Sequence, residues 1–197
     1  MNKIVGILLA AGASRRFRAD KLNQCLANGV PVAVQACRNL MAASDEVVAV
    51  LRPGSEILAS RLRDEGAEIV ICVDADRGMG NSLARGITAR PTAAGWLIAL
   101  ADMPWIAPPT IRQIAEALRC GAEIAAPSWQ GQRGHPVGFA GSLKAELANL
   151  SGDAGAKAVV QAHRQQLRSI ECNDPGVIRD IDTPADLPSP RQAEPIA

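Results

Sequence analysis

The sequence predicts an α/β protein built on a three-layer, doubly wound and mostly parallel sheet. Short apolar runs alternate with segments of helical periodicity as far as Pro127, and this alternation is typical of a parallel sheet covered by helices on both faces. The chain has 197 residues, 48% of them hydrophobic, which is enough to bury the core of one domain. We therefore expect one domain over residues 1–187 and a flexible tail over the polar, proline-rich residues 188–197.

Each element follows from a local pattern. Apolar runs predict five strands, at residues 4–10, 46–51, 68–73, 96–100 and 123–126. Apolar residues at helical spacing, several times after an opening Pro, Gly or Ser, predict four helices, at residues 31–43, 55–65, 80–88 and 109–118. Beyond Pro127 the order changes to a hairpin or a loop ending in a strand (131–140), two helices (142–150 and 154–165) and one or two short strands (167–181).

Composition excludes several classes of function. The 21 basic and 20 acidic residues leave a net charge of +1, which provides no general attraction for nucleic acid or an anionic membrane surface. The apolar run at residues 4–10 is too short to span a bilayer and has no signal-peptide cleavage pattern. The five cysteines are widely spaced and indicate neither a disulfide framework nor a zinc site. We expect a cytoplasmic protein that binds neither nucleic acid nor membranes.

The loop after the first predicted strand is the first candidate for ligand binding, because ligands of open parallel sheets bind at the carboxyl ends of the strands. Small residues at positions 10–13 allow backbone N–H groups to approach an anion, and Arg15, Arg16, Arg18 and Lys21 add positive charge. This loop suits a triphosphate, although a solvated basic loop would have the same composition.

Two better-known phosphate-binding patterns are absent. No Gly-Lys-Ser/Thr follows the first strand, so the Walker loop is not present. The glycines also lack the spacing of a dinucleotide fingerprint, which disfavours a nicotinamide-dependent oxidoreductase.

Five further polar residues, in four segments of the chain, are candidates for a catalytic or ligand-binding role. Asp102 directly follows a buried strand, where a carboxylate is costly unless it is solvated, paired or metal-bound, and it could also cap the next helix. Asp182 follows the apolar Ile181 and could equally belong to an Asp-x-x-Asp cap. His135 lies in a turn bounded by Gly and Pro, where it is either a ligand contact or a turn-stabilising donor. Lys157 ends a turn that suits an anion and begins with Asp153, which could instead cap a helix.

The first loop, Leu-Ala-Ala-Gly-x-Ser-x-Arg-Phe followed after three residues by Lys, resembles the loop of the nucleotidyltransferases that act on molybdenum cofactor. Further motifs appear in that family's order, at residues 78–83, 101–104, 134–137, 152–157 and 180–187. The resemblance implies that Asp102 and Asp182 hold Mg²⁺ and that Lys21, Arg16 and Asp102 serve catalysis. It further implies nucleotide contacts at Leu9, Ala10, Ala11, Gly12, Arg15, Lys21, Gly80 and Ser82, and acceptor contacts at His135, Asp153 and Lys157.

Within that family the resemblance favours the cytidylyl branch. The guanylyl branch usually has Gly at the position of Ala11, and the extra methyl group narrows the space for a base. The expected reaction joins CTP to molybdenum cofactor and releases pyrophosphate. Guanylyl transfer to the same acceptor and nucleotidyl transfer to a sugar or polyol phosphate remain alternatives. A rival of another class is a non-catalytic carrier that delivers the cofactor to a molybdenum-dependent dehydrogenase, but the presence of both aspartates favours an enzyme.

Overall fold

A computed structural model describes residues 3–12, 20–153 and 155–187 of the chain, which form a mixed sheet between two layers of helices. The strands are β1 (Ile4–Leu9), β2 (Glu46–Leu51), β3 (Glu68–Ile71), β4 (Gly95–Leu100), β5 (Ile124–Trp129), β6 (Gln132–Arg133), β7 (Val137–Ala140) and β8 (Leu167–Glu171). The α-helices are α1 (Val32–Met41), α2 (Glu56–Asp64), α3 (Met79–Ala89), α4 (Pro108–Arg119), α5 (Lys144–Ala148) and α6 (Lys157–Ala162). Within the described ranges, no helix combines the length and apolarity needed to cross a bilayer.

The strand order is β3-β2-β1-β4-β7-β5-β6, and β8 pairs with β5. The first four strands in this order are parallel, β7 runs antiparallel between β4 and β5, and β8 is parallel to β5. The prediction of a mostly parallel, doubly wound Rossmann-like fold is confirmed. The antiparallel β7 follows from the hairpin-like segment that the sequence placed at residues 131–140.

The core lies on both faces of the sheet, and this is why β1 and β4 are almost entirely apolar. Alternate residues of β1 face opposite layers: Leu8 packs in the cluster that includes residues of α1, α2 and α4, whereas Ile7 packs in the cluster that includes residues of α3, α5 and α6. Leu97 and Ile98 of β4 alternate in the same way. All six residues of β1 are buried, so the strand is held between two helical layers and between two parallel neighbours.

Two predicted elements differ from the structure. The helix predicted over residues 154–165 is limited to α6, because Gly155 has a positive φ of 52° before it and His163 ends it with non-helical backbone angles. The second of the possible strands in residues 167–181 is a 3₁₀ turn at Pro175–Ile178, where the Asp174 side chain accepts a hydrogen bond from Gly176 N. The predicted tail at residues 188–197 lies outside the described residues.

Asp174 joins the two segments that flank the functional edge of the sheet. Its carboxylate accepts hydrogen bonds from the Ala107 backbone N at 2.9 Å and from Thr110 Oγ1 at 2.8 Å, both at the start of α4, and from Gly176 N at 3.0 Å. One side chain thus fixes the loop after β4 to the segment that leads to residues 180–182.

We expect Asp174→Ala to lower the free energy of unfolding by about 2–4 kcal/mol, because it leaves three donors without their acceptor. Thr110→Val removes one of these donors and should cost about 1 kcal/mol. Urea denaturation followed by circular dichroism measures both values. Equal effects of the two variants would contradict the central role of Asp174.

Candidate active site

The carboxyl ends of β1, β2 and β4 meet at one edge of the sheet, where the parallel register brings their following loops together. Ala101 N donates a hydrogen bond to the Leu9 carbonyl at 3.1 Å, and Ala10 N donates to the Val50 carbonyl at 2.9 Å. The residues that follow these strands therefore begin side by side, as expected for the ligand edge of an open parallel sheet.

Three aspartates converge at this edge. The Ile181 backbone N donates to the Asp102 carbonyl at 3.0 Å, which places residues 180–182 beside the end of β4. Asp102, Asp180 and Asp182 each offer a carboxylate oxygen, and these oxygens lie within 4.8 Å of one another. Carboxylates this close repel unless a cation lies near them, and oxygen ligands of this kind suit Mg²⁺ or a related divalent ion.

Asp180 was not a candidate from the sequence. It stands two residues before Asp182 in Asp180-Ile181-Asp182, and that alternation was the only available signal. The backbone hydrogen bond from Ile181 to Asp102 depends on the tertiary fold, and it places both Asp180 and Asp182 beside Asp102.

The structure assigns the capping roles to other residues. Ala107 occupies the N-cap position of α4, so Asp102 does not cap that helix. Thr183 and Asp186 form the capping box of the 3₁₀ turn at Pro184–Asp186, and the Asp182 backbone N donates to Asp186 Oδ2. The N-cap positions of these two elements are thus held by Ala107 and Thr183 and not by Asp102 and Asp182.

Among the described residues of the loop after β1, the cation that contacts the carboxylates is Lys21. Its side chain is buried, with 8% of the residue exposed. The Nζ atom lies 2.8 Å from Asp102 Oδ2 and 3.5 Å from Asp182 Oδ1. A buried ammonium group requires such partners. Arg15 and Arg16, the other basic candidates of this loop, lie outside the described residues.

A cavity of about 610 Å³ opens beside the carboxylates. This volume is in the range of small-molecule sites. Besides Asp102, its lining residues come from three segments of the chain. They are Leu9, Ala11 and Gly12 at the end of β1, Arg52 and Pro53 after β2, and, between β3 and the first turns of α3, Val73, Ala75, Asp76, Gly78, Met79 and Ser82. Arg52 and Asp76 were missed by the sequence reasoning, because exposed charges in loops are common.

Two predicted nucleotide contacts lie behind the wall of this cavity. Ala10 is buried and does not line it. Gly80 packs against the segment 151–152, and its backbone N donates to the Gly152 carbonyl at 2.8 Å. Ala10 and Gly80 therefore support the wall, while residues next to them in the chain, such as Ala11 and Met79, line the cavity.

Asp153 lies in the larger cavity, away from the other two predicted acceptor residues. The cause is the contact between its loop and the start of α3. A Cβ atom on Gly78 would lie 2.3 Å from the backbone of Gly152, and Gly78 has a φ of 124°. Glycine at this position therefore permits the close approach that directs Asp153 toward the loop after β1.

His135 and Lys157 line a second cavity of about 230 Å³. It shares Leu9, Met79 and Leu100 with the larger cavity, so the two spaces are adjacent. Its other lining residues are mostly apolar, with Arg133 as a further cation: Leu83, Ile98, Arg133, Val137, Gly155, Ala156 and Val160.

The His135 backbone is held firmly. Its N donates to the Val177 carbonyl at 2.8 Å, and a Cβ atom on Gly134 would lie 2.3 Å from that carbonyl oxygen. Burial lowers the pKa of the His135 imidazole below its ordinary value, so the ring is neutral near pH 7. Its buried Nδ1 has no hydrogen-bond partner within the described part of the chain. The ring can therefore offer a ligand a hydrogen bond but not a charge.

The fold and this edge of the sheet agree with a family comparison, in which the MobA-like NTP transferase domain matches residues 6–167. The chain belongs to the MobA-like NTP transferase family. The match runs from the third residue of β1 to the first residue of β8 and includes Lys21, Asp102, His135 and Lys157. Asp180 and Asp182 lie beyond it.

Two curated relatives cover nearly the whole chain. The chain is 30% identical to the nicotine blue oxidoreductase of Paenarthrobacter nicotinovorans, over 91% of this chain and 92% of that protein. It is 26% identical to the purine catabolism protein PucB of Bacillus subtilis strain 168, over 96% of this chain and 97% of that protein. Members of the family thus carry functional names of more than one class.

A solved structure supports the same architecture. Rv0371c of Mycobacterium tuberculosis H37Rv has a TM-score of 0.82 and 28% identity, over 94% of this chain and 95% of that chain. A second crystal structure of Rv0371c, in complex with manganese, has a TM-score of 0.77 and 27% identity, over 93% of this chain and 95% of that one.

We expect Asp102→Asn to weaken Mn²⁺ binding by about tenfold or more, since it removes one negative charge from the cluster. Asp182→Asn should act in the same direction, and Asp180→Asn should have a smaller effect because Asp180 is more exposed. Electron paramagnetic resonance of free Mn²⁺ measures the affinities. Asp64→Asn, on the exposed end of α2, is the matched control. Unchanged Mn²⁺ affinity in Asp102→Asn would exclude the cluster as a metal site.

Proposed function

We propose that this protein transfers the cytidylyl group of CTP to the terminal phosphate of molybdenum cofactor and releases pyrophosphate. The proposal depends chiefly on one observation: three carboxylates cluster after β4, two of them contact the buried Lys21, and Asp102 lines a cavity whose wall contains Ala11 and Gly12 of the loop after β1. The product would be the cytosine dinucleotide form of the cofactor, for delivery to a molybdenum-dependent dehydrogenase.

The residues present fit a divalent metal. Asp102 and Asp182 would hold Mg²⁺, with Asp180 as a third carboxylate, because hard cations prefer such oxygen ligands. The manganese complex of Rv0371c supports a divalent ion in a protein of this fold. When bound, the ion offsets the negative charge that develops on the reacting phosphate and the leaving pyrophosphate.

The protein's own groups would bind and orient the triphosphate. Ala11, Gly12 and Ser82 line the larger cavity, and backbone N–H groups of the two small residues would bind phosphate oxygens there. Lys21, together with Arg15 and Arg16 of the same loop, would bind the phosphate oxygens. Because the reaction requires little covalent chemistry from the protein, alignment and charge stabilisation account for most of the catalysis.

The smaller cavity would receive the acceptor. A phosphomonoester has a second pKa of about 6, so near pH 7 it is already nucleophilic and needs no general base. Lys157 can hold that phosphate, and the neutral His135 can hydrogen-bond a heterocycle. The apolar part of the lining suits the flat face of the ring system of molybdenum cofactor, whereas a sugar or polyol phosphate presents hydroxyl groups in every direction.

The name of the Paenarthrobacter relative makes redox chemistry the second candidate. Two observations favour nucleotidyl transfer over it. The chain lacks the glycine fingerprint for dinucleotides. Its cavity is lined instead by Asp102 of the carboxylate cluster and by Asp76 and Asp153, and this negative charge would repel a pyrophosphate that arrives without a metal ion. A non-catalytic carrier would have no need of that cluster.

One assay separates these functions. The protein is incubated with molybdenum cofactor, Mg²⁺ and each of the four nucleoside triphosphates, and pyrophosphate release is measured. CTP should give turnover that Asp102→Asn abolishes. Pyrophosphate release with none of the four would exclude the transferase. Oxidation of a reduced nicotinamide nucleotide in a parallel incubation would favour the redox alternative.

We expect CTP to be preferred over GTP by ten- to a few-hundred-fold. This preference corresponds to the roughly 1–3 kcal/mol that one methyl group can contribute to discrimination in a tight pocket. Ala11 is only 9% exposed and lines the larger cavity, so its methyl group is well fixed. Ala11→Gly should reduce the preference without inverting it. Competition between the two nucleotides measures this. Equal use of GTP by the unmodified protein would overturn the cytidylyl assignment alone.

We expect Lys157→Ala to raise the KM for the acceptor by about ten- to a hundredfold, because it removes a charge-assisted contact worth about 1.5–3 kcal/mol. The KM for CTP should stay nearly unchanged. Lys144→Ala is the matched control, because Lys144 is exposed on α5 and lines neither cavity. A change in the KM for CTP instead would place Lys157 on the nucleotide side.

A further inference from the structure

Lys21 binds the same carboxylates that a divalent ion would use. Its Nζ lies 2.8 Å from Asp102 Oδ2 and 3.5 Å from Asp182 Oδ1. Those carboxylates and that of Asp180 form the cluster described above. The Lys21 ammonium group is therefore in contact with two of the three carboxylates of the cluster.

We infer that Lys21 competes with the divalent metal for Asp102 and Asp182, and that the triphosphate relieves this competition by drawing Lys21 to itself. Metal and nucleotide would then bind with positive cooperativity. This inference rests on the proposed nucleotide site but not on the identity of the base or the acceptor.

The electrostatic argument is direct. A divalent ion bound to Asp102 and Asp182 would lie close to an ammonium group that is in contact with both carboxylates, and like charges at such separations repel. Lys21 is buried, so solvent screens this repulsion poorly. The metal alone must therefore displace Lys21 or bind weakly beside it.

A ligand anion in the larger cavity would be an alternative partner for Lys21. Asp102, its nearest partner, lines the larger cavity together with Ala11 and Gly12. A triphosphate in that cavity would lie within reach of the flexible four-carbon lysine side chain. Transfer of Nζ from the carboxylates to the phosphates frees the carboxylates for the metal, and linkage requires the bound metal to strengthen nucleotide binding equally.

The first test is Mn²⁺ binding in the absence of nucleotide, followed by electron paramagnetic resonance of the free ion. Lys21→Met removes the competing charge and should tighten Mn²⁺ binding by about tenfold or more. Lys21→Arg keeps the charge and should stay near the unmodified protein. Lys21→Gln gives the same comparison if the methionine variant fails to fold. Mn²⁺ affinity that is unchanged or weaker in the neutral variants would overturn the competition, since a structural role for Lys21 predicts one of those outcomes.

The second test measures the cooperativity itself by calorimetric titration of CTP without acceptor, once in a metal chelator and once in saturating Mn²⁺. Mn²⁺ should tighten CTP binding by a larger factor in the unmodified protein than in Lys21→Met, by about tenfold. Equal factors in both proteins would overturn the role of Lys21 in coupling.

These results are distinguishable from failure of the proposed function. If the protein binds no nucleoside triphosphate but Lys21→Met still tightens Mn²⁺ binding, the competition stands and the nucleotide assignment fails. If CTP binds and is turned over but the Mn²⁺ affinities of the variants are equal, the transferase stands and the role of Lys21 as a competitor fails.

Discussion

The concentration of negative charge at the carboxyl end of β4 is the constraint on which the rest of the site depends. Asp102 follows a strand that is buried between two helical layers, and the pairing of Ile181 N with the Asp102 carbonyl brings Asp180 and Asp182 beside it. Such a cluster is unfavourable without positive charge. The ion pairs with Lys21 satisfy part of this requirement, and a divalent ion with a triphosphate can satisfy the rest. The same negative charge thus fixes the Lys21 side chain and favours ligands that are cationic or bound to a metal ion.

The two adjacent cavities give a physical basis for a transfer reaction. Leu9, Met79 and Leu100 belong to both, so a nucleotide in the larger space and an acceptor in the smaller one would meet across a shared apolar boundary. The larger cavity is lined by Asp102, Asp76 and Asp153, by Arg52 and by the small residues Ala11 and Gly12, whereas the smaller one is mostly apolar with His135, Lys157 and Arg133. Under the proposed function, this division would separate binding of the phosphates from recognition of the acceptor's ring system.

The family shows why the fold alone does not define the substrate. Relatives that match almost the entire chain carry the names nicotine blue oxidoreductase and purine catabolism protein PucB, and a fold by itself does not define a function. Under the proposed function, specificity would depend on side chains that face the cavities. In this chain those side chains include Ala11, Arg52 and Asp76 at the larger cavity and His135 at the smaller one.

The sequence by itself determined the strands and helices up to Pro127, because each is encoded by local periodicity. It marked Asp102, because this residue directly follows a buried strand, and Lys21, because it belongs to the basic loop after the first strand. It predicted Asp182 through resemblance, but it could not indicate Asp180, whose place depends on a backbone pairing between residues far apart in the chain. It also grouped Asp153 with His135 and Lys157, whereas the tertiary structure separates them, since Gly78 lets residues 151–153 dock on the start of α3. Local patterns specify which elements form. The order of strands in the sheet and the close contacts that glycines permit decide which polar side chains meet.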